Sequence, residues 1–270
     1  MKLSLHASLP VFLALFLGAS HLVAADVTGR IRVDRDPAKV YDGVIRWQAA
    51  RKEYQITTAN NATLTFPANR VELIIPRPRQ LDTAIADLRG GRNAAVITGL
   101  GPILNDYLML MHDEEIASLL IQAHLASNNS TEALKIADRV IGSRPEAAFR
   151  GAMTGPYWAA LLAANQTEKL RGLLDKAIQT GDIPAMSQAL VMRGDMILNK
   201  ANPTSLDHRQ ALVDGYLRVI VLYAKDAKDV LAEALYKAAQ SFDKMGQTSR
   251  AQIFRNRLHA EFPNSDWAAR

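Results

Sequence analysis

Apolar residues recur at every second position across residues 26–78. Ile45 and Trp47, for example, alternate with Arg46, and four more short runs repeat that period. Clusters of Asp, Asn, Gly and Pro separate the runs. Because successive side chains of a strand point to opposite faces, this period is typical of strands with one buried face. The pattern predicts five short strands that form a small antiparallel β-sheet or β-barrel.

From residue 79 onward the apolar positions follow the three- and four-residue spacing of helices. The helical runs come in five pairs, each joined by a turn, and the pairs recur every 37 to 41 residues. The residues that mark the second helix of each pair are Ala95, Ala133, Leu170, Ala211 and Ala251. A two-helix unit with this period predicts a solenoid, in which each hairpin buries its apolar face against the next.

Turn-permissive and small residues stand where each hairpin must reverse. Asn128, Asn165 and Gly246 lie in three of the predicted turns, and Gly and Asn tolerate positive φ better than other residues. Ala133 and Ala251 begin second helices at the point where they cross the first. A larger side chain at such a crossing would force the helices apart, at a cost of about 1–3 kcal/mol.

Further details of the helical part follow from single residues. Thr131 is a predicted N-cap, and Pro102 is expected to interrupt the second helix of the first hairpin. The second helix of the fourth hairpin is expected over 211–223, after a long connection over 199–209. Phe242 and Tyr107 are expected to fill space between neighbouring hairpins.

The second and fifth hairpins share two intervals. The turn residue, the small residue and the terminating proline are separated by five and then twelve residues in both. In this respect the chain resembles the tetratricopeptide repeat (TPR) family. The matching positions of the fifth hairpin are Leu235, Ala238, Ala239, Phe242, Gly246, Ala251, Leu258 and Pro263, and those of the second are Leu120, Asn128, Ala133, Val140 and Pro145. The other three hairpins depart from the family pattern.

The resemblance covers residues 80–265 and implies a TPR-like solenoid of about five hairpins. The ending over 251–265, which closes with Glu-Phe-Pro-Asn-Ser at 261–265, resembles repeats in bacterial periplasmic envelope-assembly proteins. The β module resembles a Src-homology-type barrel. We therefore expect an α+β protein in which a small N-terminal antiparallel barrel or sheet precedes the helices. The expected units are a signal peptide over 1–25, the β module over 26–78 and the helical repeat domain over 79–270.

The first 25 residues have the three parts of a secretory signal. Lys2 supplies a positive start, residues 9–18 are mostly apolar, and small residues precede a cleavage point after Ala25. The apolar run is shorter than the roughly 20 residues of a membrane-spanning helix, but an uncleaved anchor remains an alternative. The chain contains no cysteine, so its stability must come from packing rather than from disulfides. We expect a periplasmic or secreted protein of a bacterial envelope.

The formal net charge of +5 is unevenly distributed. Residues 26–79 contain 10 Lys and Arg against 6 Asp and Glu, whereas residues 80–270 contain 21 of each. A continuous basic stripe along the helices, as expected of a nucleic-acid-binding protein, is therefore absent from the sequence. We expect no nucleic-acid partner.

Few residues offer catalytic or metal-binding chemistry. Without cysteine there is no thiolate, and no two of the four histidines after residue 25 are spaced by three or four residues. The acidic segment over 112–115 is interpreted as charge that favours a helix start, rather than as a metal site. Asp195 is the best single candidate for a functional carboxyl, although a paired or solvated Asp is more common. We expect a non-catalytic protein with no cofactor and no metal.

The TPR resemblance implies a partner-binding groove lined by the first helix of each hairpin. It would bind a protein or peptide whose identity the sequence does not give. The positions carried over from the family are Glu115, Ser118, Gln122, Tyr157, Gln188, Glu233, Tyr236 and Gln240. The alternative is that these side chains are simply solvated.

Two other hypotheses stay open. The β module could contact an anionic envelope polymer or a membrane surface, or it could only cap the first hairpin. The cations for such a contact would be Arg30, Arg32, Arg46, Arg51 and Lys52. In addition, the helical repeats could form a homo-oligomer through the terminal hairpin.

Overall fold

The computed structural model describes residues 26–270, apart from the side chain of Asp229, so the predicted signal peptide lies outside the described residues. Five strands form one antiparallel sheet in the order β4-β3-β2-β1-β5. Their bounds are β1 Thr28–Val33, β2 Val40–Gln48, β3 Glu53–Thr57, β4 Thr63–Pro67 and β5 Val71–Ile74. The prediction of a five-stranded antiparallel sheet is confirmed.

The β-barrel alternative is wrong, because the edge strands β4 and β5 do not pair with each other. They are nevertheless close in sequence: only the 3₁₀ turn Ala68–Arg70 separates them. A link of so few residues spans at most about 14 Å, so the sheet must curl strongly to bring its two edges that near. The Arg70 guanidinium binds the Asp34 carboxylate in the β1–β2 turn and holds the link against the sheet.

The concave face of the sheet carries the alternating apolar residues that were predicted to share one side of the strands. Ile31, Ile45 and Ile56 are fully buried there, and Ile45 lies directly opposite Ile56 across the β2–β3 pair. Leu110, which belongs to the helical part of the chain, completes this core. The small sheet thus obtains part of its buried apolar surface from outside itself.

The rest of the chain is helical and forms five hairpins, as predicted. The helices are α1 Arg79–Arg89, α2 Asn93–Leu100, α3 Leu104–Tyr107, α4 Asp113–Ala126, α5 Ser130–Ser143, α6 Thr154–Ala163, α7 Thr167–Gln179, α8 Ile183–Leu198, α9 Ser205–Ala211, α10 Leu217–Leu222, α11 Lys228–Lys244 and α12 Thr248–Glu261. A π-helical segment, Leu212–Tyr216, joins α9 to α10 without a break, so that these three act as one helix. The hairpins are α1–α2, α4–α5, α6–α7, α8 with α9–α10, and α11–α12.

The predicted turn and crossing residues have the expected conformations. Asn128 and Asn165 both have φ of 56° and Gly246 has φ of 73°, so all three reverse the chain in the left-handed region. Ala133 and Ala251 are completely buried at their crossings. In the first hairpin the prediction is wrong by one position, because Ala95 is exposed and the neighbouring Val96 is the buried residue.

Capping interactions explain where two other helices begin. The N-cap of α5 is Asn129, whose side chain accepts from the Glu132 amide at 3.2 Å, and not Thr131. The fourth hairpin's second helix begins at Ser205, six residues earlier than predicted. Thr204 and Asp207 form a reciprocal capping box there, which stabilises the first turn of a polar segment that lacks an apolar stripe.

A short loop before α4 joins the sheet to the hairpins. Leu110 packs into the sheet, and the Tyr54 hydroxyl donates to the Met109 carbonyl at 2.7 Å. Asp113, almost fully buried, accepts from the Met109 amide at 3.0 Å and from the Arg144 guanidinium at 3.1 Å. Burial raises the pKa of Asp113, and the positive charge of Arg144 opposes that rise. Sheet and second hairpin are therefore one packed unit.

Two helical segments of the fourth hairpin approach each other at the distance of backbone contact. A Cβ on Gly215 would lie 2.8 Å from the Leu190 carbonyl oxygen and 2.9 Å from the Gly194 nitrogen. A Cβ on Gly194 would in turn meet the Tyr216 ring at 2.5 Å. Two glycines facing each other thus let α8 and the π segment pack backbone against backbone.

None of the helices within residues 26–270 is both long enough and apolar enough to span a bilayer.

We predict that Gly215→Ala lowers the free energy of unfolding by about 1–3 kcal/mol, because its Cβ would press on backbone atoms that cannot move independently. Gly172→Ala is the matched control. Gly172 lies on the exposed side of α7 with nothing within 4 Å of a new Cβ, so this change should stabilise the chain by roughly 0.5–1 kcal/mol. Urea denaturation followed by circular dichroism measures both. Equal effects of the two substitutions would contradict the close crossing.

Candidate functional site

A cleft of about 780 Å³ opens between the last two hairpins and the chain that follows them. Its walls come from α8, α9, the π segment, α11, α12 and the C-terminal segment, residues 262–270. We call it the C-terminal cleft. Its volume lies within the roughly 300–1,000 Å³ typical of pockets that bind small molecules.

A network of charged and polar side chains forms one wall of the cleft. The Asp195 carboxylate of α8 accepts from the Tyr216 hydroxyl at 2.8 Å and from Lys237 Nζ at 2.5 Å. Lys237 Nζ also lies 2.5 Å from a Glu233 carboxylate oxygen, one turn earlier on α11. The three charged side chains are only 17–26% exposed. The network therefore connects the fourth hairpin to the fifth with a largely buried ammonium group between two carboxylates.

The protonation states of Lys237 and Tyr216 follow from their surroundings. Burial alone would lower the pKa of Lys237, but the Asp195 and Glu233 carboxylates together outweigh it and raise that pKa above its ordinary value. Burial, followed by the charge of Asp195, raises the pKa of the Tyr216 hydroxyl far above its usual range. Lys237 therefore stays protonated and Tyr216 stays neutral. At that pH neither side chain is in the deprotonated form that a nucleophile or a general base requires.

An aromatic pair forms the second wall. The Trp267 ring lies 5.3 Å from the Tyr236 ring, measured between centroids, and the Gln240 amide donates to the Tyr236 hydroxyl at 2.8 Å. Arg270 stacks over the Trp267 indole at 4.2 Å, in a cation–π contact. The Ser265 side chain accepts from the Ala268 amide at 3.1 Å and so closes the turn that brings Trp267 back onto α11.

The far end of the cleft is polar. Arg255 of α12 is paired with Asp243 of α11. His208 of α9 has a buried Nδ1 without a hydrogen-bond partner among the described residues. Burial, and then the positive charge of Lys244, lowers the pKa of His208, so this imidazole is neutral at pH 7. A ligand in the cleft would meet the part of the His208 ring that lines it, because Nδ1 itself is inaccessible to solvent.

The predicted groove residues are placed very differently by the structure. Tyr236 and Gln240 line the C-terminal cleft, and Glu233 lies behind them on Lys237. Tyr157 is only 1% exposed, so the expectation of an accessible tyrosine there is corrected. Ser118 is likewise buried. Both face neighbouring helices, because these first helices pack on more than one side.

The remaining predicted groove residues already have intramolecular contacts. Glu115 is paired with Arg77, and the Gln122 amide donates to the Ser118 hydroxyl at 3.2 Å. The half-buried Gln188 packs against Gly155 of α6, at the point that a Cβ would occupy. The structure therefore does not gather the eight predicted residues into one groove.

Three of the five predicted anion-contact cations are paired within the sheet and its N-terminal extension. The pairs are Arg30–Asp42 at 2.5 Å, Arg32–Glu72 at 3.1 Å and Arg46–Asp26 at 2.8 Å. Arg51 and Lys52, in the β2–β3 turn, have no ion pair among the described residues. The uncompensated charge of the sheet surface is smaller than the sequence suggested.

The acidic segment over 112–115 has a structural role. Asp113 and Glu114 bind Arg144, and the His112 ring lies 3.2 Å from the Ile75 carbonyl. Within residues 26–270, no group of three His, Asp or Glu side chains is arranged to hold a metal ion.

Sequence reasoning missed Lys237, Tyr216, Trp267 and Arg270. The four-residue spacing of Glu233 and Lys237 was a signal for an ion pair on one helix face. Nothing in the sequence shows that Asp195, about forty residues earlier, joins them, or that Trp267 folds back onto Tyr236.

No family model matches the sequence, and no curated protein matches it. Among solved structures, a crystal structure of the nearly identical TPR-like repeats of a Podospora anserina kinesin light chain is similar to the chain. The two are 15% identical, the alignment covers 67% of this chain and 92% of that chain, and the TM-score is 0.44. A likeness of this size carries no argument about the arrangement of the hairpins or about function.

We predict that Lys237→Met destabilises the fold by about 3 kcal/mol, because it leaves two largely buried carboxylates without their counter-charge. The matched control is Arg30→Met. The Arg30 and Asp42 side chains are 59% and 66% exposed, so their loss should change stability by no more than roughly 0.5 kcal/mol. Thermal and urea unfolding measure both. A Lys237→Met variant as stable as the control would show that the network does not hold the two hairpins together.

Proposed function

We propose that the protein is an exported, non-catalytic scaffold of a bacterial cell envelope that binds a protein or peptide partner. The binding site in this proposal is the C-terminal cleft, where one segment of the partner would lie. The observation that carries the proposal is the pairing of an open cleft with walls that are already fixed by internal contacts. A site whose side chains are held in place before binding loses less conformational entropy when a ligand arrives.

The composition of the walls supports binding of a peptide. Tyr236 and Trp267 offer large aromatic surfaces with few rotatable bonds, and such residues dominate the energetics of protein interfaces. Gln240 and the neutral His208 add hydrogen-bonding groups at separate points of the cleft. Arrays of helical hairpins commonly present extended concave surfaces of this kind to their partners.

Export rests on the N-terminal sequence. The positive start at Lys2, the short apolar run and the small residues up to Ala25 together have the form of a secretory signal. In this proposal residues 1–25 serve targeting and the described chain is the mature protein. Localisation to the periplasm or the exterior, and the bacterial source, belong to the same proposal.

The alternative, in which the sheet binds an anionic polymer or a membrane, has less support. Arg30, Arg32 and Arg46 each have a carboxylate partner, which leaves Arg51 and Lys52 as the free cations of the predicted set within the described residues.

The test is co-purification of the mature chain with partners from its native envelope, followed by affinity measurement for each partner. We predict that Tyr236→Ala weakens binding by roughly 30-fold, the loss of about 2 kcal/mol expected of a central aromatic contact. Gln240→Ala should weaken it by a smaller factor.

Gln252→Ala is the matched control for Gln240→Ala. Gln252 is an exposed glutamine on α12 whose side chain is hydrogen-bonded to Asn256, away from the cleft. Its removal should leave affinity unchanged. A partner that binds all three variants as tightly as the unmodified chain would place its site elsewhere and refute the proposal.

A further inference from the structure

The second helix of the fourth hairpin exposes an unusual number of large apolar side chains. Leu206 is 68% exposed, Val213 57%, Val221 74% and Leu222 57%. These four account for most of the exposed large apolar residues among those described. They belong to one continuous helix, formed by α9, the π segment and α10.

The π segment aligns these side chains. Leu206 and Val213 are seven residues apart, which corresponds to about two turns of an α-helix. Val213 and Val221 are eight residues apart, but the interval includes the π segment, where a turn takes an additional residue. All three therefore lie along one side of the helix. We call this side, together with Leu222, the outer face.

Unpaired cations lie beside these apolar residues. Arg209, Arg218 and Lys225 are exposed, and none has an ion pair within the described part of the chain. Arg209 is three residues after Leu206, and Arg218 is three residues before Val221. Residues at that spacing are neighbours on a helix surface, so both arginines flank the outer face.

Within the described residues, the carboxylates of this helix form no ion pair with those cations. The helix contains two of them. Asp207 is bound to Lys200 and to the Thr204 cap. Asp214 is half-buried four residues before Arg218 and forms no ion pair within the described part of the chain. An exposed carboxylate, Asp226, follows the helix next to Lys225. Arg209 and Arg218 are therefore exposed beside the outer face without a paired carboxylate among the described residues.

We propose that the outer face of this helix lies on the surface of an anionic lipid bilayer. The apolar side chains would enter the boundary between head groups and acyl chains, and the cations would meet lipid phosphates. A helix that exposes apolar residues and Lys or Arg together is typical of such interfacial binding. Each cation near an anionic surface adds to the attraction, which falls with salt because of screening.

A second copy of the chain fits this face less well. In a two-fold contact the same patch meets itself, so Arg209 and Arg218 would approach arginines of the second copy. Like charges brought together oppose association. The negative phosphates of a bilayer compensate the same cations instead.

Placement of the outer face on a bilayer is compatible with a partner bound in the C-terminal cleft. His208 and Tyr216, on the same helix, line the C-terminal cleft, whereas Leu206, Val213 and Val221 are exposed to solvent. A helix on the bilayer would therefore leave the cleft open to a partner. The membrane proposal does not depend on the identity of that partner.

The experiment is flotation of purified residues 26–270 with vesicles. One set contains phosphatidylglycerol and phosphatidylcholine, and the other contains phosphatidylcholine alone. We expect binding to the anionic vesicles, weakened by high salt, and little binding to the neutral ones. Absence of binding to anionic vesicles at low salt would overturn the proposal.

Two double variants separate the contributions. Val213→Ser with Val221→Ser should weaken binding by about tenfold through loss of apolar burial, and Arg209→Gln with Arg218→Gln should reduce it and flatten its salt dependence. Ile253→Ser, a 64% exposed residue on α12, is the control and should bind as the unmodified chain does. Circular dichroism confirms that each variant is folded, as expected for exposed positions.

Sedimentation of the same variants tests the alternative that a second copy of the chain covers the outer face. A dimer that the Val213→Ser and Val221→Ser changes disperse, together with unchanged vesicle binding, would assign the outer face to a second copy and refute the lipid proposal.

Discussion

The C-terminal half of the molecule depends on the contact between two glycine backbones. Gly194 of α8 and Gly215 of the π segment have no side chains to separate them, so the two helices approach more closely than alanine would allow. That distance places Tyr216 against α8 and its hydroxyl on Asp195. The hydroxyl contact is therefore a consequence of the backbone crossing rather than an independent feature.

The charge network extends the influence of the crossing into the next hairpin. Asp195 is oriented by Tyr216 and then binds Lys237, which in turn holds Glu233. The wall of the C-terminal cleft is therefore set by the packing of Gly194 and Gly215, which directly precede Asp195 and Tyr216. Such a wall costs desolvation energy, which the mutual attraction of the charges offsets only when all the members are present.

The parts of the fold that could be predicted from the sequence are those set by local rules. The strand period, the helical stripes and the positive φ of Asn128, Asn165 and Gly246 each follow from a few adjacent residues. The closure of the sheet could not be predicted in this way, because strand alternation is the same in an open sheet and in a barrel. The burial of Tyr157 was missed for a related reason: its exposure depends on helices of other hairpins that pack on α6.

Local rules also reach only part of the candidate site. Asp195 was singled out by its residue type on a helix, whereas Tyr236 and Gln240 were carried over from the TPR resemblance. Their contact with Trp267 depends on a turn after α12 that has no sequence period, so no local pattern predicts it.

The insertion of Leu110 into the sheet also depends on contacts distant in sequence. It determines how the strands and the hairpins are coupled mechanically. Hinges between modules usually lie in exposed, weakly packed linkers, whereas the loop that carries Leu110 is packed into the core of the sheet. A force applied to the strands would consequently be transmitted directly to α4 and α5. The sheet and the second hairpin would then resist bending relative to each other.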